Sequence, residues 1–429
     1  MQIVLFKFTK VSYNRLRTKY SFDLIEIKVE EVADIRKYLK SKKSEDDFSY
    51  KKKLFVHKAA FFYKILILII ALIALGIGIY VYFINKVYTK YNVISNVERT
   101  DTSTTSYEEY MDGILKCSND GASYTDYANN VLWNETFEML NPIVDICDEY
   151  IAIADKEGNK IYIFNEKGLQ STIDVSQPIE QLQVANQGVV FAVLDDGNNS
   201  LIYTYDKAGN VLAKMKQPMT TSGYPLDISV SDDGVKLAVS YLYVDGGIMK
   251  TDIAFYNFGS VGQNEDDHIV SGYTYENIVF PNVSYVNETT AVAFGDNKVG
   301  IYKGTQKPEM TKEIDIEDEI QSVYYSDTYF GLVFENSDVG TKYRLELYDL
   351  EGEKILTLNF DQDYTNIVMK NNEFIIISEM DFSVYNISGL EKFHYEAQKA
   401  LLNVIPMSSK NKFVVIESGT TEVIGLKIN

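Results

Sequence analysis

Residues Ile65 to Ile84, ILILIIALIALGIGIYVYFI, are twenty consecutive positions without a charged or amide side chain. At a helical rise of about 1.5 Å per residue they extend about 30 Å, the thickness of a bilayer's hydrocarbon core. A core helix of a soluble domain leaves one face to water, so it has no use for a run of this length. The segment therefore reads as a single membrane span, and it separates two parts of opposite charge. Residues 1–64 carry 16 Lys+Arg against 8 Asp+Glu, a net +8, which leaves 25 basic and 53 acidic residues after them, a net −28. Lys51, Lys52, Lys53, Lys58 and Lys64 precede the span closely, whereas Lys86, Lys90 and Arg99 follow it. The positive-inside rule places the N-terminus in the cytoplasm and the C-terminal part outside. The apolar run exceeds a signal-peptide core, and Tyr80-Val81-Tyr82-Phe83 offers no small-residue cleavage site, so an uncleaved signal anchor is expected. The resulting organisation is a cytoplasmic segment (1–60), a transmembrane helix (61–86) and an extracytoplasmic domain (87–429).

That domain repeats one pattern. Its clearest copy runs from Tyr150 to Leu169: an apolar strand, a Gly-containing turn, a second apolar strand and a polar turn with Gly. Further copies occupy 189–209, 236–259, 290–304, 329–352, 373–389 and 412–428, with a degenerate one at 113–130. Second strands end on an aromatic residue followed by a turn-former, as in Phe164-Asn165, Tyr205-Asp206, Tyr256-Asn257, Tyr348-Asp349 and Tyr385-Asn386. A repeat of about 45 residues built from four short strands is the signature of a β-propeller. A β-sandwich would not repeat its hairpin so often at one spacing. Ser231-Asp232-Asp233-Gly234 resembles the turn that closes blade hairpins in propeller families.

The missing strands can be located. Apolar stretches precede the copies at 143–147, 179–184, 226–230, 278–285, 320–325, 367–369 and 401–405, and fourth strands follow most of them, as at 211–215 and 354–360. The last copy ends after three strands. Tyr91–Arg99 is the unused candidate for its outer strand, and Tyr107–Met111 opens the first blade. A closed ring leaves no blade face or broken join exposed, so the N-terminal strand is expected to complete the last blade. The expected fold is all-β, a propeller of eight blades, with seven as the alternative because the first copy is degenerate.

The order of Ile114-Leu115-Lys116, Asp120-Gly121, Leu132-Trp133-Asn134 and Ile161-Tyr162-Ile163-Phe164 behind a signal anchor resembles the DUF5711 family. These are bacterial single-pass proteins with a propeller ectodomain related to quinoprotein-like and WD40-like propellers. The resemblance covers roughly 91–429 and the span. It implies fold and topology, and no activity.

The N-terminal segment is less legible. Ile25, Val29, Val32, Ile35 and Leu39 fall on one face of a helix over 23–39. It would bind a cytoplasmic partner, lie on the membrane, or pack in a small module with 3–8 as a strand. Cys117 and Cys147 allow at most one bridge, and their expected role is as small buried apolar residues.

No catalytic, cofactor-binding or metal-binding residue is assigned. His57, His268 and His394 lack metal-ligand spacing, and no nucleophile elbow, zinc-protease or phosphate-loop motif occurs. Quinone-dependent propellers carry a Trp motif in each blade and an adjacent disulfide; this chain has only Trp133. Asp315-Ile316-Glu317-Asp318-Glu319 and Asp361-Gln362-Asp363 could hold calcium, but they fall in blade-connecting turns where solvated carboxylates are expected. Asp145 and Asp227, on innermost strands, are candidates to face the central channel. Two functions compete: a membrane-anchored scaffold binding a protein or envelope polymer, and an envelope enzyme working on polysaccharide or peptide at the channel mouth. The scaffold is preferred, without cofactor or nucleic acid. Its partner is expected to be a basic protein near the membrane, because strand Tyr91–Arg99 starts about six residues past the span. Ala74 and Gly78 form a small-xxx-small pair that could add a dimer contact.

Overall fold

A computed structural model describes residues 46–428 apart from 102–103, 337–339 and 410. The helix expected over 23–39 and the strand over 3–8 lie outside the described residues. The chain divides at Phe83/Ile84 into two units. The first contains helix α1, Asp46–Ile84, whose stretch Phe61–Ile79 is long and apolar enough to cross a membrane and is not buried in protein. Leu66, Ile67, Leu72 and Leu75 are all exposed, so the helix is apolar all round. A Cβ added at Gly78 would meet nothing within 4 Å.

The second unit is a ring of eight four-stranded antiparallel sheets. Seven are built from consecutive strands: blade 1 spans 106–136, blade 2 142–174, blade 3 179–218, blade 4 224–276, blade 5 282–315, blade 6 320–360 and blade 7 364–396. Blade 8 consists of Leu401–Pro406, Lys412–Glu417, Thr420–Lys427 and, as its outer strand, Lys90–Glu98. The degenerate first copy is thus a full blade and the count is eight. In blade 5 the inner strand begins at Asn282, later than the apolar run suggests. Pro281 has no N–H to give a ladder, and Asn277 takes a positive φ of 58°, so 277–281 form the connecting loop.

Second strands are buried on both faces because each blade is packed between two others. Tyr150–Asp155, Val190–Asp195 and Thr290–Phe294 read as continuous apolar runs with no in–out alternation. Blade 2 divides its two faces by size. Ile151 and Ile153 face blade 1 among Leu115, Tyr124 and Phe164, while Ala152 and Ala154 face blade 3 among Val190, Ala192 and Leu194. Every pair of neighbouring blades, including 8 and 1, shares such an apolar cluster.

The aromatic–Asx signature has a local cause. Oδ1 of Asp206 accepts the N–H of Ala208 and Asn210, Oδ1 of Asp349 those of Glu351 and Glu353, and Oδ1 of Asn386 those of Ser388 and Leu390. Gly209, Gly352 and Gly389 follow at φ 84°, 81° and 82°. A ladder bulge accompanies each turn, the three-residue hairpin of a type I turn plus a left-handed residue. The preceding aromatics Tyr205, Tyr348 and Tyr385 pack on the previous blade.

Ring closure is as the sequence requires. Lys90–Glu98 pairs antiparallel with Thr420–Lys427, from Lys90↔Lys427 to Glu98↔Thr420. Tyr91 packs on Phe393 and Tyr395 of blade 7 at 6.0 and 5.2 Å between ring centroids. Just beyond this strand the side chain of Arg99, 2% exposed, clasps the seam. It donates to the carbonyls of Glu417 (2.5 Å) and Thr420 (3.2 Å), to Asp101 Oδ2 (2.9 Å) and to the Tyr107 hydroxyl of blade 1. Lys370 Nζ adds a bond to Glu109 (2.6 Å) and one to the Pro406 carbonyl (2.9 Å).

Candidate functional site: the channel wall and the turn faces

The innermost strands lie against each other around the axis, and polar side chains tie several of them to the next. Asp145 Oδ2 in blade 2 accepts the N–H of Val184 in blade 3 at 2.6 Å. Gln183 Oε1 in blade 3 accepts that of Val230 in blade 4 at 2.8 Å. Asp227 Oδ2 in blade 4 accepts from Val283 N–H (2.9 Å) and Asn282 Nδ2 (2.8 Å) in blade 5, and Ser229 Oγ from Tyr285 N–H (2.7 Å). Asn403 in blade 8 donates to the Tyr107 carbonyl in blade 1 at 2.7 Å. These bonds replace the ladder that neighbouring inner strands cannot form.

Burial pushes the Asp145 carboxyl up to about 6, against the pull of the Val184 and Ile146 amides. Asp227 rises to about 6 for the same reason, opposed by the Val283 and Ile228 amides. Glu108, on the inner strand of blade 1, is raised by burial. The Tyr325 hydroxyl of blade 6 is raised by burial, lowered by its bond to Ser284, and raised again by the Asp227 and Asp145 carboxylates.

The other residues flagged by sequence are dispersed. Cys117 and Cys147 are free thiols, each pushed up to about 12 by burial first and then by nearby carboxylates, so both stay protonated at neutral pH. His268 Nδ1 contacts the Gly262 carbonyl at 3.2 Å and its ring lies by Phe258; His394 Nδ1 meets Ser383 Oγ at 2.9 Å. His57 falls within α1. Trp133 stacks on Phe164, with centroids 4.9 Å apart. In the acidic runs, Asp315 pairs with Lys298, Asp318 with Arg344 and Asp363 with Lys342. Among the described residues no group of three or more His, Cys, Asp or Glu is placed to hold a metal. Sequence reasoning marked Asp145 and Asp227 but missed Glu108, Gln183, Ser229 and Tyr325. The matching inner strands Val144-Asp145-Ile146-Cys147 and Leu226-Asp227-Ile228-Ser229 carry a signal that would have found Ser229.

Fold and site together define an eight-bladed β-propeller whose ring closes non-covalently through a strand from the start of the domain. The chain belongs to DUF5711, described as a family of unknown function, whose pattern it matches over residues 84–426. No curated protein matches it in sequence. Among solved structures, BamB from Moraxella catarrhalis is similar with a TM-score of 0.50 at 11% identity, over 78% of this chain and 100% of that one. The designed protein Ika8 aligns at 0.48 and 11% identity over 79% and 99% of the two chains. The Neurospora crassa Pan2 WD40 domain aligns at 0.42 and 11% identity over 67% and 89%. At these identities the likeness concerns the fold alone.

Proposed function

We propose that this protein is anchored in a bacterial cell membrane by α1 and presents its propeller outside, as a protein-interaction or envelope-assembly scaffold without catalytic activity. The observation that carries this reading is the use made of the inward polar side chains. Asp145, Gln183, Asp227, Ser229 and Asn403 are each engaged in tying blades together, so the outward chemistry belongs to the turns. A net charge of −28 after residue 64 favours basic protein surfaces and repels anionic polymers and lipid. The five residues between Ile84 and Lys90 span at most about 20 Å, which keeps the propeller near its anchor. Protease added to spheroplasts should degrade the C-terminal domain and leave an N-terminal tag intact. A protected C-terminal domain would overturn the topology.

One observation favours an envelope enzyme as the second reading. Asp145 and Asp227 are held near 6, within reach of general acid chemistry at neutral pH. Turnover of a cell-wall glycan or peptide by the purified protein, abolished by Asp227→Asn, would establish it.

A further inference from the structure

Blade 4 carries the longest hairpin of the ring. Its second and third strands, Lys236–Asp245 and Ile248–Asn257, have ten residues each. The corresponding strands of the other blades have five to eight. The flanking strands do not follow it to its end. The inner strand starts at Tyr224, opposite Leu242, and the outer strand stops at Glu276, opposite Lys250. Asn277 N–H bonds the Met249 carbonyl at 2.8 Å and is the last neighbour on that side. Tyr243 to Asp245 run past the last partner of the inner strand, three residues or about 10 Å at about 3.3 Å per residue. Gly246 and Gly247 close it at φ 59° and 85°, the two-residue turn whose twist matches the ribbon, so the tip is a built element.

One face of the tip is apolar, and the other sets Ile248 opposite Asp245. Val244 is 71% exposed and shares a face with Met249, its cross-strand partner. Ile248, 40% exposed, lies on the other face with Tyr243, and Tyr224 at the base is 42% exposed. Val and Ile are stiff about χ1 and lose little freedom on binding. The surroundings are acidic: Asp195 and Asp196 in the blade 3 turn, Asp245 and Glu276 in blade 4, and Asp296 in the blade 5 turn. The nearby bases are already taken. Lys216 pairs with Asp196 (3.7 Å), Lys250 with Asp245 (3.2 Å) and Glu276 (3.3 Å), and Lys298 with Glu313 (3.3 Å) and Asp315 (2.8 Å).

We propose that the tip Val244–Ile248 is the element through which the propeller engages another protein, and that it takes an extended segment alternating apolar with Lys or Arg side chains. Alternation is the period of an extended chain, so its apolar residues would meet Val244 and Met249 on one face of the ribbon while its cations meet Asp245, beside Ile248, on the other. The proposal rests on the scaffold reading above and names the face and the partner chemistry.

The test uses the full-length protein in phosphatidylcholine nanodiscs and a fluorescein-labelled peptide of alternating lysine and leucine. The wild type should bind it, more weakly as salt rises from about 0.05 to about 0.3 M. The double variant V244T/I248T keeps β-branched residues in the ribbon and should bind at least about tenfold more weakly, with a melting temperature unchanged. D245N should fall between the two. Equal binding by V244T/I248T and wild type overturns the proposal, as does equal binding of a glutamate–leucine peptide. A tip that instead drives binding to phosphatidylglycerol vesicles, or self-association seen by sedimentation, also overturns it. If V244T/I248T loses the peptide but recovers the same crosslinked partners from cells as wild type, the tip assignment falls and the scaffold reading stands.

Discussion

Arg99→Ala should loosen the ring at the one join the chain does not make covalently through a blade. The Arg99 side chain is 2% exposed and holds two carbonyls of blade 8, the Tyr107 hydroxyl of blade 1 and Asp101. Its guanidinium also lies 4.5 Å from the centre of the Tyr107 ring. Truncation leaves the Glu417 and Thr420 carbonyls and Asp101 short of a partner. Removing one member of a buried pair costs about 3–5 kcal/mol. Here Lys116, 3.2 Å from Asp101, keeps part of the charge compensated, which puts the loss near the lower end, about 3 kcal/mol. An entropy of unfolding of about 2.1 cal/mol/K per residue over the propeller turns this into a fall of about 4 °C in melting temperature. Arg99→Lys keeps the charge and loses the planar fork, so it should fall about halfway. Lys342→Ala is the control: that lysine pairs with Asp363 at 2.6 Å but is 54% exposed, and its loss should move the transition by less than about 1 °C. Scanning calorimetry of the detergent-solubilised protein reads all three. An Arg99→Ala transition within about 1 °C of wild type would refute the clasp, since a side chain this buried and this bonded cannot be energetically silent.

Two further predictions concern the channel wall and the turns. The folded-state pKa of Asp145 lies near 6, above the ordinary aspartate value of about 3.9. Its ionisation therefore costs stability that is fully present below pH about 4 and lost as pH rises through about 6. Asp145→Asn keeps an acceptor for Val184, so it should stabilise by about 3 kcal/mol at pH 8 and by almost nothing at about pH 3; a gain equal at both would contradict the assignment. Gly389→Ala places a Cβ at φ 82° and 2.9 Å from Leu356 Cδ1, which should cost about 1–2 kcal/mol, read as a shifted denaturant midpoint with unchanged slope.

The period and patterning of the chain determined the architecture. Apolar strands separated by Gly and Asx turns can bury their faces only against copies of themselves, so the repeat dictates stacked blades. A last copy with three strands, and a spare strand after the span, likewise left one way to close the ring. Twenty apolar residues in one run marked the helix long and apolar enough to cross a membrane, a property that length and composition alone decide. What only the tertiary structure decided was the employment of single side chains. Asp145 and Asp227 were candidates to face the central channel, and each spends an oxygen on an amide 39 and 56 positions further along, respectively. Arg99 had no visible role until Glu417 and Tyr107 came to lie around it. Such bonds depend on which residue of one blade lies level with which residue of the next. Strand periodicity sets the face a side chain points to, but only the packed ring sets its neighbour across the seam.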